Sequence, residues 1–255
     1  MAVKLTRASV PEAWWFVLPM AVWVVYTLDH LFDSIKLKGK AMSARHQFHY
    51  INAKILTIAV LCFGMLTLAM SILYFQKQII LFSLALAGLV VVYFAAINIL
   101  PDKWRMLIPK ELVIAVVYVT GIWFVPLWLS TQPVSCHLII ILLLLTMLVW
   151  SEGAIASWFE YYDDVHDGNH SFATTLGLIR GKYIILIVLI SVLIFLPGLS
   201  FLSHQPAIKY GAILLLAINL GLLAIVLFPR YFSRNSRYRM IGESLFFIPS
   251  LMVLF

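Results

Sequence analysis

The 255-residue chain is 63% hydrophobic and 11% charged, with a mean hydropathy of +1.00 and a formal net charge of +7. That composition excludes a water-soluble globule, which carries roughly a quarter of its residues as charged side chains. Two cysteines, Cys62 and Cys136, exclude a disulfide framework and a cysteine-rich zinc site, and the lack of a basic run interleaved with aromatics or of a glycine-rich phosphate loop argues against nucleic acid as a partner.

Taken in order, the chain shows eight apolar stretches near the ~20 residues needed to cross a bilayer: 11–28, 53–75, 79–100, 110–130, 137–159, 182–202, 208–228 and 239–255. The predicted fold is an all-α polytopic membrane helix bundle, one transmembrane domain over residues 1–255, with about eight helices around a central cavity. Lys4 and Arg7 precede the first stretch, but no small-residue cleavage site follows and the run leads into Asp29 and Asp33, so it reads as a retained helix rather than a signal peptide. The loops on one side hold Lys36, Lys38, Lys40, Arg45, Lys103, Arg105, Lys110, Arg180, Lys182, Arg230, Arg234, Arg237 and Arg239, against Lys4, Arg7, Lys77 and Lys209 on the other. Basic residues collect on the cytoplasmic side, so the first set is expected to face the cytoplasm and both termini the opposite compartment.

Two acidic clusters fall on that cytoplasmic side. Asp29 and Asp33 stand at i, i+4 at the end of the first helix, followed by Arg45, His46 and His49. The denser cluster lies in 151–177, SEGAIASWFEYYDDVHDGNHSFATTLG. If its helix runs through Asp167, then Glu160, Asp163, Asp164 and Asp167 share one face at i, i+3, i+4 and i+7. Like charges so spaced repel, and near a bilayer with little water the repulsion grows. A cation relieves it, and oxygen-only ligands favour a hard ion such as Mg²⁺. The plain alternative is a solvated acidic helix end. Glu152, two turns deeper, is expected to face the bundle interior because a carboxylate facing lipid is costly. Its role is either to meet an acceptor substrate or to join two helices as a neutral acid. Asn98 and Asn219 are expected to bridge helices.

These residues resemble the UbiA superfamily of intramembrane prenyltransferases, whose two Asp-rich motifs close two helices on the cytoplasmic side. Asp29-His30-Leu31-Phe32-Asp33 is similar to the last two acidic positions of the family's NDxxDxxxD, with Arg45 near the downstream arginine, while Val25 and Tyr26 stand where the family has Asn and Asp. Glu160, Asp164, Gly168 and Ser171 match its DxxxD motif with the Gly and Ser/Thr that follow, Glu160 replacing an Asp. The 101–110 loop, with Lys103 and Arg105, resembles the family's basic loop. The family typically has a helix before its first motif that this chain is expected to lack.

The resemblance implies an enzyme transferring a prenyl group from an isoprenoid diphosphate to a lipophilic or aromatic acceptor, in the lipid of a bacterial inner membrane. It casts Asp29, Asp33, Glu160 and Asp164 as the catalytic carboxylates, joined by Asp163 and Asp167 in holding Mg²⁺, and Arg45, Lys103, Arg105, His49 and Glu152 as substrate contacts. Two other readings stay open. One is a non-catalytic scaffold or lipid-binding protein of the same fold. The other is a membrane di-iron oxygenase, suggested by His46/His49 and His166/His170 but short of the imidazole number such a site needs.

Overall fold

The computed structural model of the chain describes residues 1–37, 44–99 and 110–254, and among them every regular element is helical. In order these are α1 (Ala2–Thr6), α2 (Trp14–Lys36), α3 (Ala44–Ile51), α4 (Ala53–Tyr74), α5 (Lys77–Ile99), α6 (Lys110–Trp128) and α7 (Cys136–Phe159). Beyond them come α8 (Tyr161–Asp167), α9 (Phe172–Leu176), α10 (Leu178–Leu202), α11 (Pro206–Leu227), α12 (Pro229–Phe232) and α13 (Arg237–Leu245), with a final 3₁₀ stretch over Ile248–Leu254. Six of the described helices are long and apolar enough to cross a bilayer: α2, α4, α6, α7, α10 and α11. In α5 a shorter apolar run covers Lys77–Tyr93. Their outward surfaces agree with that setting, since Ile55, Leu61, Met65 and Ile72 of α4 are each at least 60% exposed. In water such a surface would drive aggregation, whereas lipid solvates it. The chain is a helical integral membrane protein.

The eighth expected span, 239–255, is not one helix. Its helix α13 spans 9 residues and gives way to the 3₁₀ stretch. At about 1.5 Å per residue α13 reaches roughly 14 Å, half of a ~30 Å hydrocarbon core. The reasons are local: Pro249 offers no N–H to extend a helix, and Arg239 and Glu243, both inside α13, make that helix costly to place in hydrocarbon. The expected crossing that would carry the last residues away from the 229–239 side therefore has no helix to make it.

The chain divides into two compact units. One comprises Met1–Ser9, Met106–Asp164 and His170–Phe255, the other Val10–Arg105 and Val165–Asn169. In the first, α7 packs against α6, α10 and α11, and α10 against α11. The fully or almost fully buried residues repeat at three- and four-residue steps: Ile141, Leu144, Leu148, Ser151 and Ile155 on α7; Ile185, Leu189, Val192 and Leu196 on α10; Ile208, Ala212, Leu215, Ile218 and Leu222 on α11. That is the seam spacing of helices packed nearly parallel or antiparallel. In lipid the gain from such seams is close van der Waals contact rather than expulsion of water, so shape fit decides it. At the far end α1 is tied down by the Ser130 hydroxyl, which donates to the Thr6 carbonyl at 2.9 Å, and a small cleft there is lined by Leu5, Arg7, Ser130 and Gln205.

Asn219 sits fully buried on the α11 seam, and neither its amide nitrogen nor its carbonyl oxygen has a hydrogen-bond partner. The expected bridge to another helix is not made by these atoms. An unsatisfied buried amide costs about 1–3 kcal/mol, and a well-fitted apolar side chain removes that cost. Asn219→Leu should therefore leave thermal stability in detergent unchanged or raise it, and a marked fall in melting temperature would show that the amide has a polar partner.

In the second unit α2 packs against α3 and α4, and Trp23 meets Phe63 edge-on at a centroid distance of 5.1 Å. The buried face of α2 near its end is Thr27, His30, Leu31 and Ser34.

Candidate functional site

The second acidic segment begins where α7 stops. Gly153, Ala154, Ala156 and Ser157 keep the last turns of α7 slim, so that a Cβ at Gly153 would lie only 3.5 Å from Cβ of Glu111 on α6. Glu111 is itself buried, and its Oε1 accepts the Phe172 N–H at 2.7 Å. The next amide, Ala173 N–H, donates to Ser157 Oγ at 2.9 Å. Ser171 and Thr174 form a reciprocal capping box. The first three amides of α9 are thus all satisfied, each by a side chain, where a helix start ordinarily leaves them orphaned. Gly168 at φ +67 and Gly177 at φ +80 make left-handed turns that side chains disfavour, and Trp158 Nε1 donates to the Leu178 carbonyl at 3.0 Å.

Sequence reasoning passed over Glu111, because its partner amide lies 61 residues away. Removing its carboxylate leaves the Phe172 N–H without that acceptor, at a cost of about 1–3 kcal/mol. Glu111→Ala should lower the melting temperature in detergent while Glu111→Gln, which retains a carbonyl acceptor, should lower it less. Equal losses would show that the negative charge of Glu111, rather than an acceptor oxygen, is what the Phe172 amide needs.

Helix α7 does not continue unbroken through Asp167. It ends at Glu160, which adopts φ −91, ψ 10, and α8 starts afresh at Tyr161, although the Asp164 N–H still donates to the Glu160 carbonyl at 2.9 Å. Asp163 and Asp164 therefore stand in the first turn of a new helix, where its dipole favours carboxylates. The Asp167 side chain is only 4% exposed and lies 3.0 Å from His166 Nδ1.

Glu160 turns onto α13. Its Oε1 accepts from the Tyr238 hydroxyl at 2.9 Å and from Arg239 Nη2 and Nε at 2.7 and 3.2 Å, while Oε2 accepts from Nη2 at 2.9 Å. Burial, the Glu160 charge and the hydrogen bond to it all hold the Tyr238 phenol above its usual range. Burial alone would lower the Arg239 pKa, but the Glu160 carboxylate, helped by Glu152, drives it up instead. Glu152 lies beside α13: a Cβ at Gly242 would sit 3.5 Å from Glu152 Oε1. Its expected inward position holds to the extent that it is partly buried against this helix.

The first acidic cluster belongs to the other unit. Asp29 and Asp33 both fall within α2, on either side of a buried stretch, and are themselves partly buried. Arg45 opens α3, and its carbonyl lies 2.9 Å from His49 Nδ1. The His30, His46 and His49 rings are buried and gathered, with centroids 5.8 Å apart for His30–His46 and 5.2 Å for His30–His49. Lys103 and Arg105 lie outside the described residues.

Among the described residues no three His, Cys, Asp or Glu side chains are arranged to hold a metal ion. Glu160 in particular does not fit one, because its two oxygens already receive the hydroxyl and the guanidinium. Asp29, Asp33, Asp163 and Asp164 carry the carboxylate oxygens that a hard cation prefers. No protein family, curated protein or solved structure matches the chain.

Proposed function

We propose that this chain is a prenyltransferase-like membrane protein that takes an isoprenoid diphosphate as donor and a lipophilic acceptor from the bilayer. The observation that carries the reading is the construction of the segment from Glu160 to Gly177. A merely solvated helix end frays, whereas here Glu111, Ser157 and Ser171 satisfy successive amides and two left-handed glycines fix the turns. The acidic stretch, with the spacing on which the resemblance to the UbiA superfamily rests, leads into a helix start whose first amides are all met by side chains. Asp164 and Asp163 are its acidic groups, and Asp29 and Asp33 are those of the first motif.

Mg²⁺, which the resemblance implies, would fall to the aspartates of one or the other motif rather than to Glu160; when bound it would neutralise a diphosphate and ease its departure. The chain's own contributions are distinct. Arg45 supplies a planar fork suited to phosphate oxygens, and the apolar helices keep water from a reactive allylic group. Basic-residue bias supports a cytoplasmic setting for these groups, in the bacterial inner membrane that this reading implies.

A second reading, a non-catalytic scaffold or lipid-binding protein, is favoured by one observation: the Glu160 carboxylate is committed to Arg239. Incubating the purified protein with Mg²⁺ and a panel of allylic diphosphates separates the two. Diphosphate release is expected; its absence with every donor and acceptor supplied would leave the scaffold. Iron in the purified protein would instead support the oxygenase.

A further inference from the structure

Repulsion within the second acidic motif calls for a cation, and the chain contains one. Adjacent residues at the end of α7 grip adjacent residues at the start of α13. Phe159 stacks on Tyr238 with centroids 4.4 Å apart and rings 8° from parallel, while Glu160 takes the Tyr238 hydroxyl and the Arg239 guanidinium. Further along α13, Gly242 backs onto Glu152, and Leu245 fills the space over Gly221 of α11, where a Cβ would come within 2.6 Å. Tyr238, Gly242 and Leu245 share one face at i, i+4 and i+7. Met240 and Ser244, off that face, are exposed. Helix α13 is thus docked through ring stacking, a charged pair and two close contacts at glycines.

We infer that Arg239 is the resident counter-cation of the second acidic motif, and that α13 is a clasp that fixes the end of α7 through it. Glu160 is then a positioning residue for α8, with its Asp163 and Asp164, and not a ligand of a metal ion. Tyr238 and Arg239 make three contacts with Oε1 of Glu160 and one with Oε2, so both carboxylate oxygens are engaged. A divalent ion would have to displace these donors and lie beside a guanidinium that repels it. Arg239 also points Nη1 to Glu243 Oε1 at 3.5 Å. A lysine, with a single nitrogen, cannot reproduce that fork. The clasp does not depend on the proposed reaction, since a scaffold would need it equally.

The test uses the full chain in lipid nanodiscs, with two readouts: tryptic cleavage after Arg237, and binding of Mn²⁺ followed by electron paramagnetic resonance. Glu160→Gln is expected to speed cleavage by about tenfold or more as α13 opens locally, and any Mn²⁺ affinity it costs through the aim of α8 should return in the exchanged pair E160R/R239E. That pair should also restore slow cleavage, and Arg239→Lys should not. Tyr238→Phe removes one hydrogen bond, should speed cleavage by about threefold, and serves if Glu160→Gln does not fold. Wild-type cleavage in both Glu160→Gln and Tyr238→Phe overturns the clasp. Loss of Mn²⁺ binding in Glu160→Gln that the exchanged pair does not restore overturns the positioning role, whatever the cleavage rate. Failure of the prenyl-transfer reading would leave the cleavage readout where it is.

Discussion

Arg239→Ala is expected to destabilise the protein in detergent by about 3 kcal/mol, the lower end of the cost of stripping one partner from a buried ion pair. The lower end is appropriate because Arg239 and Glu160 keep 23% and 21% of their side-chain surface exposed, so solvent screens part of the charge left behind. Most of the loss comes from a half-buried carboxylate left without its guanidinium rather than from the missing attraction itself. It follows that Glu160→Leu combined with Arg239→Met should recover much of the stability, because no charge is then left unpaired. Denaturation of the two variants and the wild type in one detergent decides the matter. A loss below about 1 kcal/mol for Arg239→Ala would place the pair with solvated surface bridges, and a double variant no better than the single would locate the cost in lost packing.

The pair also marks where sequence reading reached its limit. Spans with uninterrupted apolar runs were legible nearly to the residue: 53–75 against Ala53–Tyr74, 137–159 against Cys136–Phe159, 208–228 against Pro206–Leu227. In each the hydropathy of the segment alone decides its state, because a bilayer demands a helix of a set length. The first span was read short, since Asp29 and Asp33 looked like its end, whereas α2 carries both and runs to Lys36. Charged residues near an interface do not stop a helix whose backbone bonds are still made. The last span failed for the opposite reason: the average hydropathy of 239–255 concealed Arg239, Glu243 and Pro249, each of which has a specific local consequence.

In the site, what could be read was the local spacing, and what could not was the choice of partner. The carboxylates at Glu160, Asp163 and Asp164 announce themselves by period, and so does the need for a cation. That the cation for Glu160 is an arginine 79 residues further on, or that Glu111 reaches an amide 61 residues away, depends on how helices cross, which no single-segment pattern contains. Glu160 itself shows the difference. Its position in a DxxxD-like spacing suggested a metal ligand; its side chain, once α7 breaks there, is aimed at α13.

Asp33→Ala and Asp164→Ala are expected to reduce diphosphate release by roughly a thousandfold, about 4 kcal/mol of transition-state stabilisation, if prenyl transfer is the activity. The reasoning runs through charge. A departing diphosphate needs positive charge held against it, and that charge is held only as firmly as its own carboxylate ligands hold it, so losing a primary one forfeits most of the effect. Asp29→Ala should fall close behind. Asp163→Ala, off the Glu160/Asp164 spacing, should be milder, and His170→Ala milder still. Glu160→Ala should behave differently from all of them: its loss acts through the aim of α8, so activity lost with E160R should return in part with E160R/R239E, which no ligand substitution would allow. An oxygenase predicts the reverse ranking, with His46, His49, His166 and His170 indispensable and the aspartates tolerant. Wild-type turnover in both Asp33→Ala and Asp164→Ala would mean that neither acidic motif takes part in catalysis, and the positioning of α8 would then serve a binding role instead.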